Sequence, residues 1–258
     1  MRPECDVTRS AVTVLGSANA DLVLQVRSLP GPGETVLAGG RRSGPGGKGL
    51  NQAVASARAG AATVFVGSVG DDAEGELVRS VLAAEGVSAV VATTAAPTGL
   101  AVVAVDERGE NSIIVAPGAN AELTDLSDEA RAAIAGSAVL VLQCEVPLAA
   151  VAAGVAAARE TGTLVVLNAA PAVPLPAELL AGVDVLVVNE GEARSLAAGF
   201  GPTLDGPAVA DPAVSDLDDA VTRLAAMARA VVVTLGARGA LYRDRAGTSH
   251  RVPAPTVD

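Results

Sequence analysis

Short runs of valine, leucine and isoleucine alternate with alanine-rich, charge-dotted stretches along most of this chain, and the alternation predicts its elements. Val12 to Leu15 reads as a first strand ending at Gly16, and Asp21 to Val26 as a second. Residues 30 to 49 are rich in glycine and proline and hold Val36-Leu37 between polar flanks, as a small exposed sheet would. A helix over 51–59 then leads to a strand at 63–67. A second helix, over 71–85, carries acidic residues in its first turn, stops at Gly86 and leads to a strand at 87–93.

Thr98 to Val105 and Glu110 to Val115 are apolar runs joined by Asp106-Glu107-Arg108-Gly109, which predicts a hairpin. From there helix and strand alternate regularly. Helices over 124–135, 148–160, 176–181 and 217–228 precede strands at 138–142, 163–167, 184–188 and 230–234, and Tyr242 begins a last, more polar strand pair. Gly199 to Asp216 holds three prolines and little pattern. Near-continuous Val/Leu runs between helices are the mark of a parallel sheet buried on both faces. The expected fold is α/β, three-layered α/β/α with a mostly parallel central sheet and a small β-sheet lid. It is expected as a single domain over 1–258, with lid segments at about 20–46 and 96–118.

One stretch stands outside this rhythm. Ser43-Gly44-Pro45-Gly46-Gly47-Lys48-Gly49-Leu50-Asn51-Gln52-Ala53 places four glycines and a lysine just before a predicted helix. Glycines let backbone N–H groups approach a ligand, and a helix N-terminus favours bound oxygen or negative charge. Lys48 and Asn51, three apart, can share the space above that helix start. A P-loop fails because Gly47-Lys48 is followed by Gly49 and Arg42 stands where its first glycine belongs. Gly44, Gly46 and Gly49 satisfy GxGxxG formally, but a polar, glycine-rich segment precedes them where a dinucleotide fold requires a buried strand. A flexible turn before a helix is the plain alternative.

Composition narrows the function. Half of the 258 residues are apolar, enough for a large core. The aromatics are Phe65, Phe200 and Tyr242 alone, and the net charge is −11, so base stacking and phosphate attraction are both poorly served. Nucleic acid is not an expected partner. Cys5 and Cys144 make no disulfide framework or metal-ligand spacing, and a Ser-His-Asp triad would have to use His250, the only histidine. No apolar run approaches the length of a membrane span and Met1 to Arg9 has no apolar signal core, so a cytoplasmic location is expected.

Other polar residues stand at strand ends, where open α/β sheets bind ligands. Asn19 and Asp21 either read a ligand there or shape a turn. Glu145 follows the strand at 138–142 and could equally be a solvated loop residue. Asn189 and Glu192 have the spacing of a helix cap, and Gly236 and Gly239 that of ordinary turn glycines.

Taken together, four motifs occur in a familiar order: Gly16-Ser17-Ala18-Asn19-Ala20-Asp21, Pro45 to Ala53, Asn189-Glu190-Gly191-Glu192, and Thr234-Leu235-Gly236-Ala237-Arg238-Gly239. With them come Pro117-Gly118-Ala119-Asn120-Ala121 and Gln143-Cys144-Glu145-Val146-Pro147-Leu148. On these residues the chain resembles the ribokinase-like, phosphofructokinase-B-type carbohydrate kinases over essentially its whole length. The resemblance implies an ATP-dependent sugar kinase, with D-ribose phosphorylated at O5 as the leading expectation and deoxyribose, fructose or a nucleoside as alternatives. It assigns Asn19, Asp21, Gly46, Gly47, Lys48, Asn51 and Glu145 to the sugar, with Ala101 and Ile113 as apolar cover on the lid. It assigns Asn189, Glu192, Thr234, Gly236 and Gly239 to ATP and its magnesium, Glu192 indirectly. It also implies a monovalent cation, K⁺, near Asp258, and a homodimer formed through the lid.

The chain departs from that pattern at its end. Arg251 to Asp258 stands where the family's Thr-Gly-Ala-Gly-Asp type motif, bearing the anion hole and the catalytic aspartate, would begin. The expectation is therefore that the sequence is cut short, with the base beyond Asp258 and no catalytic base in this chain. A catalytically inactive sugar-binding protein is the alternative.

Overall fold

The computed structural model describes residues 11–199 and 216–256. Asp258, Cys5, Phe200 and most of the proline-containing stretch Gly199 to Asp216 therefore lie outside the described residues. The elements in chain order are β1 (Ala11–Leu15), β2 (Asn19–Gln25), β3 (Gly40–Gly46), α1 (Lys48–Arg58), β4 (Ala62–Gly70), α2 (Ala73–Ala84) and β5 (Ser88–Thr94). Then come β6 (Gly99–Val105), β7 (Asn111–Ala116), a 3-10 turn (Gly118–Glu122), α3 (Asp128–Gly136), β8 (Val139–Gln143), α4 (Leu148–Thr161) and β9 (Leu164–Asn168). The chain continues with α5 (Ala177–Leu180), β10 (Val185–Asn189), α6 (Glu190–Ala198), α7 (Leu217–Met227), β11 (Ala230–Thr234), β12 (Ala240–Asp244) and β13 (Ser249–Val252).

These strands form two sheets. The larger runs β13-β12-β11-β10-β9-β8-β1-β4-β5, parallel from β11 to β5 with an antiparallel pair, β12 and β13, at one edge. The smaller runs β3-β2-β6-β7 and contains the predicted hairpin. The chain lays down β4 and β5 on one side of β1 and later β8 to β11 on the other. The β1/β8 boundary is thus the switch point at which the carboxyl ends of neighbouring strands open a crevice.

The larger sheet is packed unequally. On one face Leu140, Leu142, Val165, Leu167, Leu186, Val188, Val231 and Val233 are fully buried with α3, α4, α6 and α7. Each such side chain contributes about 1.5–3 kcal/mol relative to exposure. On the other face Val14 and Phe65 pack under α1 and α2 with Leu50, Val78 and Leu82. Those two helices stand over β1, β4 and β5, with α1 reaching β8. Register puts Val141, Val166, Val187 and Val232 on that same face, and all are only half-buried. Burial on both faces, as the valine runs predict, therefore holds over β1 and β4 but not over β9 to β11.

Three local expectations also shift. Val36-Leu37 is not a strand: Leu37 is 90% exposed, and the pairing partner of β2 is the polar Gly40–Gly46. Backbone pairing against an available neighbour outweighs side-chain propensity there. The helix expected at 124 begins at Asp128, because Ser127 caps it by accepting the Ala130 N–H at 3.2 Å. The helix expected at Asn51 begins at Lys48. Asp72, the cap of α2, joins the two sheets. Its carboxylate accepts the Gly75 N–H at 2.7 Å, the Thr98 N–H at 2.7 Å and the Thr98 hydroxyl at 2.6 Å, just ahead of β6.

Candidate active site

At the switch point three backbone segments meet. The turn Gly16–Ala18 leaves β1, the start of α1 packs across it, and Glu145 approaches from the end of β8. Gly47 has φ of 93°, a left-handed value that only glycine adopts readily. A Cβ on Gly49 would lie 2.6 Å from the Ser17 nitrogen, so a side chain there would hold the helix away from the turn. The glycines of this stretch thus permit backbone-on-backbone contact, as well as leaving space above it.

That contact uses up the helix N-terminus. Lys48 N–H donates to Glu145 Oε2 at 3.0 Å, Gly49 N–H to Ser17 Oγ at 3.3 Å, and Leu50 N–H to the Ser17 carbonyl at 2.9 Å. The negative charge expected at this helix start is supplied by the protein's own Glu145, whose second oxygen stands 3.8 Å from Lys48 Nζ. The amides of Lys48, Gly49 and Leu50 are therefore already engaged within the protein. Lys48 and Asn51 do not share one space as fully as their spacing predicts. Lys48 turns to Glu145, while Asn51 is exposed beside Val54, Ala55 and Arg58 along the outer side of α1.

The small sheet brings the remaining expected sugar residues to one side. Asn19 pairs with Gly46 and Gly99, and Asp21 with Gly44 and Ala101. Two positions further on, Val103 pairs with Ile113, so alternation puts Asn19, Asp21, Gly46, Ala101 and Ile113 on one face. Ala101 is buried at 7% and Ile113 is 55% exposed. A Cβ on Gly46 would fall 2.1 Å from the Asp21 carboxylate, so glycine clears the room for that acid. Burial, reinforced by the charge of Glu145, raises the Asp21 carboxyl above its ordinary range.

A second polar group lies further along the same strand ends. Asn189 and Thr234 are register partners at the ends of β10 and β11, both exposed. Asn189 and Glu192 close a reciprocal capping box: Asn189 Oδ1 accepts the Glu192 N–H and Glu192 Oε2 accepts the Asn189 N–H, each at 2.8 Å. Among the described residues no further hydrogen bond engages the second oxygen of Glu192 or the amide nitrogen of Asn189. Gly236 and Gly239 have φ of 57° and 91° and bracket the turn after β11. Arg238 in that turn pairs with Glu190, and this hydrogen bond holds the Glu190 carboxyl below its usual range.

Residues that motif reading leaves without a role join the two groups. Asn168 Nδ2 donates to the Val187 carbonyl at 3.2 Å, Gln52 Nε2 to Asn168 Oδ1 at 3.2 Å, and Gln143 Nε2 to Gln52 Oε1 at 2.6 Å. The carbonyl of Val187 sets the direction of this amide chain, and Gln143 Oε1 is left as a buried acceptor without a partner among the described residues. It faces Gly16, where a Cβ would stand 1.8 Å from it. Cys144, adjacent in sequence, is buried, and its thiol is pushed up to about 12 by burial and by the charges of Glu192 and Glu145. Among the described residues no group of three or more His, Cys, Asp or Glu could hold a metal ion. None of their helices is long and apolar enough to cross a membrane.

Ribokinase from Haemophilus influenzae is 37% identical over 249 residues, covering 93% of this chain and 76% of the relative. Ribokinase from Schizosaccharomyces pombe is 36% identical over 257 residues, covering 95% and 78%. The chain thus spans about three quarters of these relatives. Among solved structures, Arabidopsis thaliana ribokinase complexed with ribose and ATP superposes with a TM-score of 0.79 at 30% identity, covering 95% of this chain and 78% of that one. Residues 9–258 match the pfkB family carbohydrate kinases. With its switch-point crevice, its small sheet and its two rows of polar strand ends, the chain belongs to the pfkB family of carbohydrate kinases.

Proposed function

We propose that this protein transfers a phosphoryl group from ATP to O5 of D-ribose. The observation that carries the reading is the arrangement of two polar groups at the carboxyl ends of the larger sheet's strands, the first of them completed by β2 of the smaller sheet. Asn19, Asp21, Lys48 and Glu145 gather at the β1/β8 switch point, and Asn189 and Thr234 stand side by side at the ends of β10 and β11. The ribokinase relatives, one of them holding ribose and ATP, support a sugar and a nucleotide as the two ligands; we assign the sugar to the first group and the nucleotide to the second.

In this reading Asp21 and Glu145 accept hydrogen bonds from sugar hydroxyls and Asn19 and Lys48 donate to sugar oxygens, while Asn51, exposed on α1, reaches the sugar only by turning its side chain toward Lys48. Gly46 and Gly47 keep the space clear. Ala101 and Ile113, on the same face of the small sheet, cover the apolar side of the ring and exclude water from it. Asn189, Glu192, Thr234, Gly236 and Gly239 face the phosphates and ribose of ATP. Bound ATP supplies the phosphoryl group, and the work of this chain is positioning and charge stabilisation. Magnesium would arrive on the nucleotide, with Glu192 linked to it indirectly, as the family resemblance implies. A potassium site at Asp258 rests on the family resemblance. No proton-accepting base is assigned to the described residues.

The small sheet is also the proposed dimer contact. Its edge strand β7 is exposed throughout, with Ile113, Ile114 and Val115 at 55%, 70% and 47% exposure. An exposed apolar edge strand invites pairing with a second copy. Sedimentation of the wild type against Ile114→Lys tests it, with a shift to monomer expected.

The function is tested by ADP formation with Mg-ATP and K⁺ across D-ribose, deoxyribose, fructose and adenosine, alongside calorimetric titration of each sugar. Ribose binding with ribose-dependent ADP formation is expected. Preference for another acceptor, or no heat with ribose, overturns the reading.

A further inference from the structure

Asn120 lies in the 3-10 turn after β7 and is 1% exposed. Its side-chain amide is engaged on both sides. Oδ1 accepts the Ala18 N–H at 2.9 Å, while Nδ2 donates to the Ala18 carbonyl at 3.1 Å and to Asn19 Oδ1 at 2.8 Å. The backbone of Ala18 decides the orientation: its N–H needs an acceptor and its carbonyl needs a donor, so only the amide nitrogen of Asn120 can face Asn19. Asn19 must answer with its oxygen.

The turn that carries Asn120 is itself held. Ser68 Oγ donates to the Ala119 carbonyl at 2.6 Å, and the Ala119 N–H donates to the Pro97 carbonyl at 2.7 Å. From the small sheet, Gly99 closes the pair in. A Cβ there would stand 2.2 Å from Asn19 Oδ1 and 2.3 Å from Asn120 Nδ2. Asn19 is 3% exposed and has its oxygen committed, so its Nδ2 is the group left for a ligand.

We infer that Asn120 is a positioning and specificity residue that fixes Asn19 as a pure hydrogen-bond donor toward the sugar. A free asparagine can turn over and present either end. Here the site offers a donor at Asn19 and an acceptor at Asp21, two residues along the same face. That pair matches a hydroxyl that accepts from one and donates to the other, and it disfavours a ligand group that can only donate. The inference rests on the reading that Asn19 touches the sugar.

The test is a double-mutant cycle read by ribose titration. Asn120→Asp is close to isosteric but cannot donate, so Asn19 turns its amide nitrogen toward the new carboxylate and its oxygen toward the sugar. Ribose affinity is expected to fall about tenfold or more with Asn120→Asp, and by less than about twofold when the same change is made in an Asn19→Ala background. Equal losses in both backgrounds, or none in the first while Asn19→Ala weakens binding, overturn the inference. If Asn19→Ala itself leaves ribose affinity unchanged, the sugar assignment of Asn19 fails, and this inference with it. A measurement on the unaltered protein guards against a misfolded variant. In its side-chain amide NMR spectrum, Asn120 is expected to be protected from hydrogen exchange and the Asn19 amide protons to shift when ribose is added. Fast exchange at Asn120, or no shift at Asn19, counts against it.

Discussion

Ser17 and Glu145 are 128 residues apart in the chain, yet the Ser17 hydroxyl donates to Glu145 Oε2 at 2.6 Å. The same oxygen accepts the Lys48 N–H, so one carboxylate joins the end of β1, the start of α1 and the segment after β8. Its other oxygen is left toward Lys48 Nζ.

Removing the hydroxyl should therefore disturb recognition through Glu145. Ser17→Ala deletes a hydrogen bond to a charged group, a type of interaction that contributes about 1.5–3 kcal/mol. Ribose affinity is expected to fall roughly tenfold, with a lower melting temperature. Calorimetry and thermal unfolding check both, and an unchanged affinity would mean that Ser17 does not orient Glu145 for binding.

Asp21 should cost the empty protein stability that its function requires. Its carboxyl is raised from an ordinary value of 3.8 by burial and then by Glu145. The fold therefore favours the neutral acid. As pH rises above 3.8 toward the raised value, the unfolded chain ionises first and the fold loses stability; above the raised value the difference is constant. Asp21→Asn is accordingly expected to melt higher than wild type at neutral pH, to lose that advantage below the ordinary carboxylate range, and to bind ribose poorly. Melting curves across pH test the sign.

Two glycines a few positions apart should fail differently. Gly49→Ala drives a methyl against the backbone at Ser17, 2.6 Å away, where nothing can rotate aside. Overpacking of this kind typically costs about 1–3 kcal/mol, and a large drop in denaturation midpoint is expected. Gly46→Ala instead meets the Asp21 carboxylate, the end of a side chain that can turn away. Stability should then change little while ribose affinity is lost. Chemical denaturation beside ribose titration separates the two, and equal stability losses would contradict this account.

Cys144 should be inert in the folded protein. A buried thiol raised to about 12 carries almost no thiolate at pH 8. Peptide mapping after iodoacetamide treatment is expected to find Cys144 unmodified in native protein and modified in denaturant. Modification at comparable rates in both would show the site to be open.

The alternation of Val/Leu runs with alanine-rich stretches is enough to place most strands and helices, because each strand of a parallel sheet must be apolar to be buried and each crossover needs a helix. The order of the motifs is enough to place the family. Asn189 and Glu192 illustrate where local sequence stops. Their spacing demands a cap, the structure contains the cap, and a nucleotide role has to use the groups the cap leaves over. Val36-Leu37 looked more strand-like than Gly40–Gly46, but pairing with β2 chose the latter.

What the sequence determined by itself is therefore most of the elements, the acidic and amide residues available at the strand ends, and the glycines between them, since these depend on local periodicity and residue chemistry. Contacts between distant segments were left to the tertiary structure. It brought Glu145 to the start of α1, turned Asn19 into a donor through Asn120, and left Val166, Val187 and Val232 half-buried. Each of those outcomes depends on a partner about 20 to more than 100 residues away, and no local pattern encodes a distance that only the closed sheet defines.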